Sequence, residues 1–135
     1  MMTTHIPRWI IGYAILQLVL ALLFGLMAYF NRGFQFPELV GNADALFPIG
    51  LFANRNLGVS VALIAGLVLR NRWMLLTVFV IRFATDVFDF FLGLANGGGG
   101  IGALVGMAVF FGLVLWIPEI LAIRSLWKAE TKTAS

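Results

Sequence analysis

Hydrophobic positions in this chain gather into four long runs, residues 9–30, 45–69, 73–94 and 101–123. Each is long enough to cross a bilayer as a helix, which takes about 20 residues. Together they use most of the 135 residues, so no soluble domain of any size remains. The pattern predicts an all-α membrane protein: a single domain over residues 1–135, folded as a four-transmembrane-helix bundle, with a polar tail over 125–135. The first run, Trp9–Phe30, is too long for a signal-peptide core and lacks a small-x-small cleavage site, so it reads as a retained span.

The polar positions fall between the runs and mark how they connect. Asn31–Ala43 is the long connection, and it is hydrophobic for a loop, with Phe34, Phe36, Pro37, Leu39 and Val40. It reads as an interfacial loop with snorkelling aromatics, or as a lid over the bundle mouth. Asp44 is a candidate N-cap for the second span, and Pro48 is tolerable only near a helix start. Arg70-Asn71-Arg72 predicts a tight hairpin, which makes the second and third spans antiparallel neighbours. Asn96 and Gly97–Gly100 predict a flexible turn; no strand precedes them and no Gly-Lys-Ser/Thr follows, so a phosphate loop is excluded. Pro118 removes a backbone N–H, frees the carbonyl of Val114 and predicts a bend in the fourth span. Small residues offer close-packing ridges: Gly12 and Ala21/Gly25/Ala28 in the first span, Gly58/Ala62/Gly66 in the second, and Gly98/Gly102/Gly106 in the fourth.

Composition agrees with lipid as the solvent. Hydrophobic residues make up 61% of the chain and charged residues 11%, against about 25% charged in a soluble domain. The net charge of +3 is no nucleic-acid signal, because spans separate the basic residues. Their positions encode orientation instead. Arg8, Arg70, Arg72, Arg124, Lys128 and Lys132 fall on one side of a four-span topology, and only Arg32 on the other. The positive-inside rule makes the first side cytoplasmic, with both termini there, in an inner (plasma) membrane protein that passes several times. Trp9, Trp73 and Trp127 mark the same interface and Tyr29 the opposite one. So one-sided a charge bias argues against a dual-topology dimer.

Charges inside the runs then become the question, because an intramembrane ionisable residue is a functional-site hypothesis by default. The candidates are Asn54, Arg55, Asn56, Arg82, Asp86 and Asp89, with Gln17 and Thr85 nearby in depth. Counting from the hairpin, Arg55 and Val87 both lie about 24 Å above it, so Arg55 is expected level with Asp86 and Asp89. Arg82, about 16 Å up, sits near the bilayer middle, four residues before Asp86 on the same helix face. Two arginines and two aspartates can neutralise one another, with Arg55 placed for bidentate contact to Asp86 or Asp89. This arrangement reads either as a structural clamp, as charges snorkelling to the outer interface, or as an outward-facing ligand site.

Catalysis is not expected. His5, the one histidine, lies in the polar lead before the first span, and the chain has no cysteine, no serine–histidine pair and no metal-ligand cluster. No cofactor or metal is therefore expected. Ser60 is expected to bond a backbone carbonyl. Glu119, beside Pro118 and near the cytoplasmic end of the fourth span, is a candidate proton carrier or an interfacial glutamate paired with Arg8, Arg70, Arg72 or Arg124.

Four spans, the segment Asn54-Arg55-Asn56-Leu57-Gly58 entering the second helix, the arginine-rich hairpin at 70–72 and Asp86 in the third helix together resemble the DoxX-like superfamily of small four-helix bacterial membrane proteins. The resemblance covers nearly the whole length and is closer to the uncharacterised families grouped beside it. It implies a four-helix bundle with a polar pocket lined by the Arg55 and Asp86 positions. Some members are linked to quinone-coupled sulfur oxidation as membrane subunits. This chain departs from a redox role, having no cysteine and no haem ligand in its spans.

Three functions stand foremost from the sequence, with a small redox enzyme subunit as a minor fourth. The first is a binding or accessory subunit with a small amphipathic ligand, a quinone or a lipid, at the Arg/Asp site. The second is a structural or assembly subunit of a larger membrane complex, or a homo-oligomer, held through the glycine ridges. The third is a small transporter using Asp86, Asp89 or Glu119 for cation or proton coupling.

Overall fold

The structure, a computed structural model, describes residues 6–31, 41, 43–95, 105–106 and 108–131. Among these residues every regular element is helical and no strand occurs. Helix α1 spans Arg8–Phe30; a 3₁₀ turn at Ala43–Ala45 leads into α2, Leu46–Val68; α3 spans Arg72–Ala95. Helix α4 is a π-helical segment at Phe110–Trp116 continued by a regular helix at Ile117–Thr131. Three of the described helices, α1, α2 and the stretch Phe110–Lys128, are long and apolar enough to cross a membrane. Helix α3 matches them in length at 24 residues, but Arg82, Asp86 and Asp89 interrupt its apolar run. The chain divides into two compact units, residues 1–71 and 72–135.

In the first unit α1 packs along α2. The buried positions of α1 are Ile10, Tyr13, Ala14, Gln17, Ala21, Gly25 and Ala28. They recur at helical spacing and form one stripe. Ile15, Leu16, Val19 and Leu23 lie outside it and are exposed, which costs nothing where lipid is the solvent. Lipid tails are as apolar as leucine, so close van der Waals packing has to hold the pair rather than a hydrophobic drive. Gly25 provides it. A Cβ there would meet Leu57 Cδ2 at 3.1 Å and Asn56 Cβ at 3.3 Å, so only hydrogen lets α2 approach this closely. Ala28, Ile49 and Ala53 continue the contact, with Phe52 packed against them.

The other small-residue ridges pack differently from the expectation. The buried stripe of α2 is Ile49, Ala53, Asn56, Ser60, Leu63 and Gly66. Gly58 is off that stripe, and a Cβ on it would meet nothing within 4 Å; the same holds for Gly12 and Gly106. A four-residue spacing of small residues fits any face of a helix, and here larger neighbours decide which face is used. Gly98 and Gly102 lie outside the described residues, as do most of the Asn31–Ala43 connection and the glycine run.

Helix α2 starts and ends on recognisable signals. Asp44 sits in the 3₁₀ turn just ahead of it, and Pro48 falls in its first turn, where a missing N–H breaks no ladder bond. At the other end Arg70 N–H donates to Leu67 O at 3.2 Å and Asn71 N–H to Gly66 O at 3.0 Å. This is a Schellman cap, and it puts Arg70 in the left-handed region at φ 47. Glycine usually fills that place. A Cβ there costs roughly 1–2 kcal/mol.

In the second unit α3 packs against both parts of α4. Three ring contacts set their register: Trp73 with Trp127 at 6.4 Å, Phe83 with Trp116 at 6.3 Å, and Phe90 with Phe111 at 6.0 Å. Each step up α3 is matched by a step back along α4, so the two helices run antiparallel. Leu75, Leu76, Val78 and Phe79 are buried on α3, and Leu115, Ala122 and Leu126 on α4.

Pro118 acts on α4 through its winding. Ile117 N–H donates to Gly112 O, five residues back, the spacing of a π-helix. Pro118 has no N–H, so the wide ladder cannot pass it. It removes the π partner of Leu113 and the α partner of Val114 together. The helix then returns to α geometry and runs on to Thr131. The fourth helix therefore extends past residue 123 into the stretch expected to be a polar tail.

Candidate functional site

The six polar candidates of α2 and α3 do not share one fate. Asn54 is exposed, and its Oδ1 accepts from Tyr29 Oη at 2.5 Å. That bond joins the end of α1 to α2 and was not anticipated, since Tyr29 reads simply as an interfacial aromatic. Arg55 is half-buried with its guanidinium 5.4 Å from the Phe52 ring centroid, a cation–π distance. Asn56 is buried and donates from Nδ2 to Phe52 O at 2.9 Å. Ser60 Oγ donates to Asn56 O at 2.9 Å, as its isolation on the helix suggests. Asn54, Arg55 and Asn56 are consecutive, so they point to different sides of α2 and bond to different partners. Gln17, the polar residue deep in α1, donates to Tyr13 Oη at 2.5 Å, while its Oε1 is buried with no hydrogen-bond partner among the described residues.

On α3 the i, i+4 spacing does what it implies. Arg82 Nε donates to Asp86 Oδ2 at 3.2 Å, and both side chains are buried. Thr85 Oγ1 donates to Arg82 O at 2.8 Å. Asp89, one turn on, is only half-buried. The two aspartates thus differ in environment although they lie on one helix face.

Glu119 is where the structure departs most from the expectation. Its side chain is 0% exposed, and neither Oε1 nor Oε2 has a hydrogen-bond partner among the described residues. Within its own unit and among the described residues, the expected ion pair to Arg72 or Arg124 is not formed. The reason is its position along α4. Twelve residues of helix follow it to Thr131, and it lies about 12 Å from the level of Trp127. The α3–α4 ring contacts put it level with Ile81 and Arg82, and Arg82 and Asp86 are the charges acting on it. Counting to the end of the hydrophobic run misses this, because the helix does not stop where the hydrophobicity does.

One turn before Glu119, the indole Nε1 of Trp116 is also buried without a hydrogen-bond partner among the described residues. Its ring is held edge-on by Phe83 at 6.3 Å, Phe90 at 5.3 Å and Phe111 at 6.3 Å. Aromatic edge-to-face packing of this kind fixes a ring's orientation. Trp116 and Glu119 are i, i+3 and neighbours on the helix surface. The unit therefore assembles an internally paired Arg82–Asp86, a buried carboxyl, an indole N–H and four rings. No signal in the sequence singles out Trp116, because its N–H matters only once its neighbours are known to be apolar. The chain matches no protein-family model, no curated protein and no solved structure.

Proposed function

We propose that the chain is a multi-pass integral membrane protein of four spanning helices, with both termini cytoplasmic, that binds a small amphipathic molecule at the polar residues of α3 and α4. A quinone or a lipid has the required character, an apolar body with a polar end. One observation carries the reading: Glu119 is fully buried, and neither carboxyl oxygen has a hydrogen-bond partner among the described residues. A carboxyl left so in an apolar setting costs stability, several kcal/mol on transfer scales. Groups of this kind persist at functional sites. Arg82 and Asp86 satisfy each other, so they frame the site without consuming Glu119. The one-sided distribution of lysine and arginine supports the topology. The topology is readily tested, because the chain has no cysteine and single-cysteine reporters at Thr4, Gly97 and Ser135 have no background to contend with. Labelling at Thr4 and Ser135 from outside the cell contradicts cytoplasmic termini.

Binding is tested with the purified protein in mild detergent against panels of quinones and anionic lipids. Wild type should bind at least one class, and Glu119→Leu should lose it. A flat response of wild type to every panel member removes the reading. A second reading, proton- or cation-coupled transport, is favoured by the π segment and Pro118 immediately before Glu119, since broken helices line ion paths in transporters. Proteoliposome flux that is indifferent to Glu119→Gln removes it.

A further inference from the structure

The two unpartnered groups of α4 are complementary in kind. The indole of Trp116 can only donate a hydrogen bond, and a carboxyl oxygen of Glu119 accepts one. They are one helical turn apart, and both atoms are buried. A single hydroxyl answers both: its oxygen accepts from the indole N–H and its hydrogen goes to the carboxyl oxygen. A ketone or an ether has no hydrogen to give a carboxyl oxygen, and an ammonium accepts nothing from the indole. The surroundings indicate what carries the hydroxyl. Phe83, Phe90 and Phe111 stand around the same indole at ring-to-ring distances of 5.3–6.3 Å. All four aromatic side chains are half-buried rather than sealed. No charged group is needed on the ligand, because Arg82 already holds Asp86.

We infer that Trp116 and Glu119 of α4 form a binding site for the hydroxyl of an aromatic, lipid-soluble compound, a phenol or quinol rather than a quinone or a phospholipid. This rests on the ligand-binding reading above and narrows it to one head-group chemistry. Recognition is reciprocal: the ring lies against the phenylalanine wall while the hydroxyl bridges donor and acceptor. An analogue that lacks the hydroxyl hydrogen leaves the carboxyl unanswered, which is the larger penalty in a site of low polarity.

The probes are 4-hexylphenol, its methyl ether 4-hexylanisole, and hexylbenzene, titrated into the full-length protein in detergent and read by quenching of tryptophan emission and by calorimetry. The phenol should bind about tenfold or more tightly than the ether, and the ether no more tightly than the hydrocarbon by a further large factor. Trp116→Phe and Glu119→Leu, each checked by calorimetry and for retained helicity, should each abolish the preference for phenol over ether. Glu119→Gln, whose amide oxygen still accepts, should keep part of it. Equal binding of phenol and ether by wild type overturns the hydroxyl inference and leaves ligand binding standing. A phenol preference that survives both Trp116→Phe and Glu119→Leu overturns the site assignment. No binding of any ring probe, with quinones or lipids still bound, overturns the inference; no binding of anything overturns the reading beneath it as well.

Discussion

The two helical units solve the same problem of polar groups in apolar surroundings in different ways. In the first, most polar side chains close on near neighbours: Tyr29 on Asn54, Asn56 on the Phe52 carbonyl, Ser60 on the Asn56 carbonyl and Gln17 on Tyr13, with Gln17 Oε1 left over among the described residues. The helices are held by small residues and one close approach at Gly25. In the second, bulky rings set the register, Arg82 pairs with Asp86, and Glu119 and the Trp116 N–H have no hydrogen-bond partner among the described residues. Where lipid replaces water, an unmet polar group has no solvent to fall back on. An unmet carboxyl costs more than one unmet amide oxygen, so the first unit reads mainly as scaffold and the second as the place where something else is bound.

Substitutions break that contrast to different extents. The largest effect is expected at Asp86. Asp86→Asn removes the carboxylate that accepts from the buried Arg82, a loss of about 3–5 kcal/mol for a broken buried pair. Asp89→Asn, at a half-buried position, should cost less than about 1 kcal/mol. Equal recovery of folded protein for the two variants in mild detergent would argue against Arg82–Asp86 as the structural pair. Next comes the helix approach in the first unit. Gly25→Leu should cost about 1–3 kcal/mol by overpacking, and Gly25→Ala should be destabilising too, as Asn56 Cβ is fixed to the backbone of α2. Gly58→Ala, with open space around it, should gain about 0.5–1 kcal/mol from helix propensity. Unfolding in mixed micelles separates them, and a common sign for Gly25→Ala and Gly58→Ala would undo the distinction between the two ridges. The smallest effects are expected at the cap and the hydroxyl. Arg70→Gly should gain about 1 kcal/mol by relieving the left-handed backbone, and Tyr29→Phe should lose about 0.5–1.5 kcal/mol with its hydrogen bond.

Much of the scaffold is legible in the sequence because it depends on local rules. The ends of α1 and α2 follow from where the apolar runs begin and end, Pro48 marks a first turn, and Arg82 finds Asp86 because i, i+4 residues are neighbours on any α-helix. Ser60 bonds backward to a carbonyl for the same local reason. The rest depends on which face of a helix meets which neighbour. Gly25 and Gly58 look alike in the sequence, yet one is pressed against Leu57 and the other faces open space. Glu119 looks interfacial as long as the fourth helix is taken to end with its hydrophobic run. Helix α4 instead carries Arg124 and Lys128 out along its last turns, where long basic side chains can snorkel, and that leaves Glu119 well inside. The π winding before Pro118 is not legible, because which carbonyl an N–H reaches depends on how the helix packs and not on the proline alone.

The central claim is that Glu119 is kept for binding and at the expense of stability. Its most direct test is the unfolding free energy of Glu119→Leu, measured in mixed micelles beside ligand binding by the same preparation. Leucine fills a similar volume and needs no partner, so the variant should be as stable as wild type or more stable by about 1–3 kcal/mol, and it should no longer bind. A variant less stable than wild type by more than about 1 kcal/mol would show that the carboxyl holds the fold together, and would contradict the account.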